Sequence, residues 1–97
     1  MAIYISLINF TDQGIRNIKQ SPERAQAFRD MVEKAGATVK AIYWTLGNYD
    51  LVAITDVPDD ATAMTLLLTT GSIGNIRTQT LKGFSAEEMA PILAKLP

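Results

Sequence analysis

YWTLGNYDLVAITDV, residues 43–57, places two apolar runs on either side of Gly47-Asn48. A Gly-Asn pair supplies the positive φ angles of a tight hairpin turn, so the stretch predicts a β-hairpin. Counting outward from the turn pairs Leu46 with Tyr49, Thr45 with Asp50, Trp44 with Leu51, Tyr43 with Val52, Ile42 with Ala53 and Ala41 with Ile54. Paired residues share a face and successive pairs alternate. One face then carries Ala41, Tyr43, Thr45, Asp50, Val52 and Ile54, and the other Ile42, Trp44, Leu46, Tyr49, Leu51 and Ala53. Both are mostly apolar, so both call for burial. A chain of 97 residues has helices for one face at most, and a second subunit is expected on the other.

The composition narrows the possible chemistry. The length predicts a single domain over residues 1–97, with about 60–65% of the unfolded surface buried on folding. A net charge of −1 without a basic cluster argues against nucleic acid as a partner. The chain has no cysteine and no histidine, which removes disulfides, thiolate catalysis, the commonest general base and the usual ligands of zinc and haem iron. No metal or cofactor is expected. The opening MAIYISLINF is apolar but lacks a basic leader and reads as a strand. No apolar run reaches membrane-spanning length, so no membrane role and a cytoplasmic location are expected.

Upstream of the hairpin, Ile3–Asn9 is a strand whose faces, Ile3, Ile5 and Leu7 against Tyr4, Ser6 and Ile8, are both largely apolar. Thr11 caps a short helical turn over 12–19. Ser21-Pro22-Glu23 reads as cap, first helical position and dipole-compatible acid. Ala25, Phe28, Val32 and Ala35 form the buried stripe of that helix, Arg24 lies outside it, and Gly36 ends it. Downstream, Pro58-Asp59-Asp60 stops the strand and caps a helix with Met64, Leu67 and Leu68 as its buried side. Gly71 and Gly74 bracket the next turn, and IGNIRTQTL, 73–81, reads as a polar strand. Ser85-Ala86-Glu87-Glu88 is a capping-box pattern opening a C-terminal helix with Met89, Ile92, Leu93 and Leu96 as its apolar set and Pro91 as a kink. The order is βαββαβ plus a helix, an α+β, ferredoxin-like pattern. Right-handed crossovers put the first and third strands at the sheet centre.

The segments FTDQGIRNIK, SPERAQAF, GNYD, VPDD and IGNIRTQTL carry a resemblance to the GYD family of small bacterial and archaeal proteins. The hairpin residues Gly47, Tyr49 and Asp50 match the motif that gives the family its name. The resemblance implies the dimeric α-β barrel type of ferredoxin-like fold, with the open sheet face as the contact between copies. It implies no particular activity.

Candidate ligand-binding residues follow from the predicted placement. Asp50, on one face with Tyr43 and Thr45, is a pocket base or hydrogen-bonding anchor, or, more commonly for an Asx residue beside a turn, a brace for nearby amides. Arg77, inside a strand, needs an acidic partner. It finds one in a ligand or, as Arg enrichment at interfaces favours, across an oligomer contact. Tyr4, Tyr43, Trp44 and Tyr49 are expected to gather near the hairpin end as a cage or as an interface core. Thr11 and Gly14 offer amides to an anion, although a capping threonine is usually only a cap. These features predict an oligomeric small-molecule-binding or sensing module. The alternatives are a cofactor-independent enzyme using Asp50 and a tyrosine as acid-base groups, and a purely structural homo-oligomer.

Overall fold

A computed structural model describes residues 2–97. Strands β1 (Ala2–Phe10), β2 (Thr38–Trp44), β3 (Leu51–Val57) and β4 (Ile76–Gly83) form one antiparallel sheet in the order β2-β3-β1-β4. Helices α1 (Asp12–Arg16), α2 (Ser21–Lys34) and α3 (Asp60–Ile73) lie in the two crossovers, and α4 (Ala86–Ala94) follows β4. This is the ferredoxin-like arrangement, with β1 and β3 central as expected. The hairpin register is also the one counted from the turn: Trp44 pairs with Leu51, Tyr43 with Val52, Ile42 with Ala53 and Ala41 with Ile54. Lys40 is the extra residue of a bulge in the edge strand β2, a position where charge and a bulge both discourage further pairing.

The turn itself is wider than predicted. Gly47 has φ 117°, but Asn48 does not take a positive φ, and both strands stop short of the 45–50 loop. Thr45 still sits opposite Asp50: its N–H donates to the Asp50 carbonyl at 2.9 Å, and its hydroxyl donates to the Tyr49 carbonyl at 2.6 Å.

Helix ends follow local chemistry with one exception. Gly36, at φ 79°, closes α2 in a Schellman motif, with Ala37 N–H on the Val32 carbonyl at 3.1 Å and Gly36 N–H on that of Glu33 at 3.0 Å. Asp59 caps α3 through the Thr62 amide at 2.7 Å, and Ser85 and Glu88 form the reciprocal capping box of α4. Ser21 is not the expected cap. A 3₁₀ turn, Ile18–Gln20, runs directly into α2, so Ser21 is already helical and its buried hydroxyl oxygen instead accepts from Trp44 Nε1 at 3.0 Å.

The helices cover the β1 face bearing Tyr4, Ser6 and Ile8 and the β3 face bearing Leu51, Ala53, Thr55 and Val57. Val32 and Val57 are fully buried, packed with Tyr4, Ala37, Ala63 and Leu66 at one end of the sheet. On α3 the buried residues are Ala63 and Leu66, whereas Met64 and Leu68, expected inside, are exposed. The helix also runs through Gly71 to Ile73, where a turn and then a strand were expected. Apolar residues occur all around α3, so periodicity could not choose its inner side. Ala35, expected in the stripe of α2, is likewise exposed at the helix end.

Candidate functional site

The space between sheet and helices is filled at one end and hollow at the other. Around Ile8, Leu51 and Ala53 a cavity of about 360 Å³ opens under α2 and α3. It exists because the side chains that meet there are small: Ser6 and Ala53 on the sheet, Ser21 and Ala25 on α2, Thr70 on α3. Larger groups, Phe10, Phe28, Met31, Ile42 and Ile76, form its walls. The volume is within the range of sites for small organic ligands, roughly 300–1,000 Å³.

Arg24 is the charged residue of this lining. Its Nη1 donates to the Asn17 carbonyl at 2.8 Å and its Nη2 to the Gly14 carbonyl at 3.2 Å. Its guanidinium carbon sits 6.0 Å from the centroid of the Phe10 ring. The sequence puts Arg24 outside the buried stripe of α2; its position one residue before Ala25 of that stripe brings it to the cavity rim, half-buried. The remaining polar lining is largely engaged: Ser6 Oγ with Thr80 Oγ1 at 2.9 Å, Thr70 with the Leu66 carbonyl at 2.7 Å, and Asn75 Oδ1 with Gln13 at 3.0 Å.

The backbone holds the Arg24 end of the cavity closely. Gly14 lies so tightly against Asn75, the residue before β4, that an added Cβ would fall 1.9 Å from the Asn75 carbonyl oxygen. Thr11 N–H donates to that same oxygen at 3.1 Å, and the Gly14 N–H is taken by the Thr11 hydroxyl, also at 3.1 Å. Thr11 is therefore a cap, and its amide and that of Gly14 are already engaged.

The residues singled out from the sequence lie elsewhere. Tyr43, 65% exposed, is on the open sheet face with Val52 and Leu7. Tyr49 reaches the same face, its hydroxyl donating to Gln79 Oε1 at 3.1 Å; the irregular loop breaks the strict alternation that put it with Leu46. Arg77 is exposed on β4 opposite Asn9, with no ion pair among the described residues. Asp50 Oδ2 accepts the Phe10 amide at 2.9 Å, bracing the end of β1. Thr45 is half-buried in the loop. None of these five lines the cavity. Nor do the aromatics gather: Trp44 turns to Ser21 on the helix side, and Tyr4 pairs with Thr55 at the far end of the sheet from the hairpin turn.

At that far end the Tyr4 hydroxyl donates to Asp60 Oδ1, which also receives Lys82 Nζ at 3.0 Å. The hydrogen bond to Asp60, then burial, pushes the Tyr4 phenol up to about 12. The same bond, then Lys82, holds the Asp60 carboxyl below its ordinary range. A phenol so raised gives up its proton poorly at neutral pH, and the trio is a tie between β1, β4 and the start of α3. Among the described residues no group of three or more acidic side chains could hold a metal ion, and no helix is long and apolar enough to cross a membrane.

Comparison with known proteins decides the family. The family model described as "GYD domain" matches residues 4–93. The chain belongs to the GYD family. This GYD chain is 33% identical over 97 residues to a Thermus thermophilus protein named as a glutamine synthetase and cystathionine beta-lyase binding protein, with 99% of each sequence covered. Its fold is similar to a crystal structure of a protein from the same organism, with a TM-score of 0.56 and 25% identity over 89% of this chain and 96% of that one. The GYD assignment agrees with the segments that carried the resemblance and with the ferredoxin-like topology.

Proposed function

We propose that this GYD chain is a binding module that holds a small molecule between its sheet and helices and works as a homo-oligomer. The observation that carries the reading is the 360 Å³ cavity, largely apolar, left where small side chains of the sheet and helices meet. Self-association is supported by the way the sheet is covered. The helices sit on Tyr4, Ser6 and Ile8 and leave Ile3, Ile5 and Leu7 of β1, with Val52 and Ile54 of β3, on the open face. The more apolar side of β1 is thus the one without a helix, as expected if a second copy covers it in a dimeric α-β barrel.

Native mass spectrometry on gently purified protein tests both parts at once. An oligomer with a reproducible added mass is the expected result. A monomer would sink the assembly. A clean spectrum combined with no melting shift from any member of a small-molecule panel would sink the binding role.

A second reading has its own observation. The Thermus relative is named for binding two metabolic enzymes, and this chain exposes Met64 and Leu68 on α3 and Ile92, Leu93 and Leu96 on and after α4, a helix that buries none of its residues. A protein partner would find apolar anchors there. Retention of a purified metabolic enzyme of the named kinds by the wild-type chain, and its loss with Leu93→Glu, is the expected result under this reading.

A further inference from the structure

We infer that the cavity takes a small carboxylic acid with an apolar body, the carboxylate paired with Arg24. The inference rests on reading the cavity as the binding site and adds the class of its occupant. The walls call for hydrocarbon: Ile8, Phe10, Phe28, Met31, Leu51 and Ile76 surround the hollow. The charge calls for an anion. Arg24 is half-buried, and no acidic side chain is within ion-pair distance of it among the described residues. A guanidinium has five N–H donors; carbonyls of Gly14 and Asn17 each take one and fix the plane of the group beside Phe10. The donors left over form a preset site for an acceptor at the rim of an apolar space, which suits the planar, bidentate geometry of a carboxylate.

Competing classes fit less well. A phosphate dianion calls for a second cation or a run of free amides. The lining has no second cation, and the amides of Thr11 and Gly14 are already bonded to Asn75 and Thr11. A cationic ligand would meet Arg24 and no carboxylate. A sugar would leave most of its hydroxyls facing hydrocarbon.

The experiment is calorimetric titration of the full chain with octanoate and phenylbutyrate against their neutral counterparts, octanol and phenylbutanol. It is repeated on Arg24→Gln, Arg24→Lys and Ala53→Leu, the last narrowing the cavity. The acids should bind about tenfold or more tighter than the alcohols, the usual size of a charge-assisted hydrogen bond. Arg24→Gln should erase that preference, Arg24→Lys should keep part of it, and Ala53→Leu should weaken every probe. Preference for octanoate or for phenylbutyrate distinguishes an aliphatic from an aromatic acid, and either supports the inference. Acid and alcohol binding equally to the wild type, with both weakened by Ala53→Leu, would overturn the carboxylate and leave the cavity site standing. Binding of no probe, or binding indifferent to Ala53→Leu, would overturn both. The wild-type comparison of acid with alcohol decides the matter even if an Arg24 variant does not fold.

Discussion

The Asp50 carboxylate accepts the Phe10 amide at 2.9 Å while the Asp50 amide donates to the Ile8 carbonyl at 2.8 Å. One residue of the hairpin thereby satisfies two backbone groups at the end of β1, directly beside the wall of the cavity. Asp50→Ala leaves the Phe10 amide without that acceptor and should cost about 1–3 kcal/mol, whereas Asp50→Asn keeps an acceptor oxygen and should cost less. Urea unfolding reads the difference as a shift in midpoint at unchanged slope. Equal stability of the two variants would show that the brace contributes nothing.

Two glycines should respond in opposite directions to the same change. At Gly14 an alanine Cβ would lie 1.9 Å from the Asn75 carbonyl oxygen, so α1 and β4 must separate. The loss should be about 1–3 kcal/mol or more, as for other overpacked sites. Gly71 is helical with open space around it, so Gly71→Ala should add roughly 0.5–1 kcal/mol. Thermal melts of both variants settle the sign.

Stability should fall at both extremes of pH, and the Tyr4–Asp60–Lys82 trio takes part in both. The Asp60 carboxyl is lowered from its ordinary 3.8 first by the Tyr4 hydroxyl and then by Lys82. The unfolded chain therefore binds more protons in this range. The stabilisation is complete above the unfolded value and is lost as pH falls through the folded one. Asp59, held down by the Thr62 amide, and Glu88, held down by that of Ser85, act in the same direction. Tyr4 is raised from 10.0 to about 12, so its contribution is complete below 10.0 and fades as pH climbs toward about 12. Melting temperature against pH should show both limbs, and Tyr4→Phe should remove the alkaline one while weakening the acid one.

The open face gives a direct test of assembly. Ile54 pairs with Ile5 and Ala41 in the centre of that face and touches neither the cavity nor the helices' core. Ile54→Lys should shift the native mass to that of a monomer while leaving far-ultraviolet dichroism unchanged. An unchanged oligomer would move the contact to another surface.

Much of the fold was legible because its signals are local. Gly47-Asn48 with two flanking apolar runs gave a register that holds pair by pair from Trp44 to Ile54, even though the turn is wider than a two-residue one. Gly36, Asp59 and the Ser85–Glu88 box marked helix ends correctly because capping involves residues only a few positions apart. Ser21 failed as a cap because a neighbouring 3₁₀ turn removed the helix start it would have capped, and Trp44, distant in sequence, took its hydroxyl.

The sequence by itself determined the element order, the hairpin register and the exclusion of thiolate and imidazole chemistry, all properties of spacing and residue type. Tertiary structure alone decided which face of the sheet the helices cover, since Ile3, Ile5 and Leu7 and their opposites Tyr4, Ser6 and Ile8 are both apolar enough to be buried. It decided that Ala63 and Leu66, and not Met64 and Leu68, face inward on a helix apolar all round. It also made the cavity. Ser6, Ser21, Ala25, Ala53 and Thr70 are scattered over the chain, and only the packing of two crossover helices on one sheet brings these small side chains together under Arg24. A hollow is a property of what surrounds it, and no local periodicity encodes one.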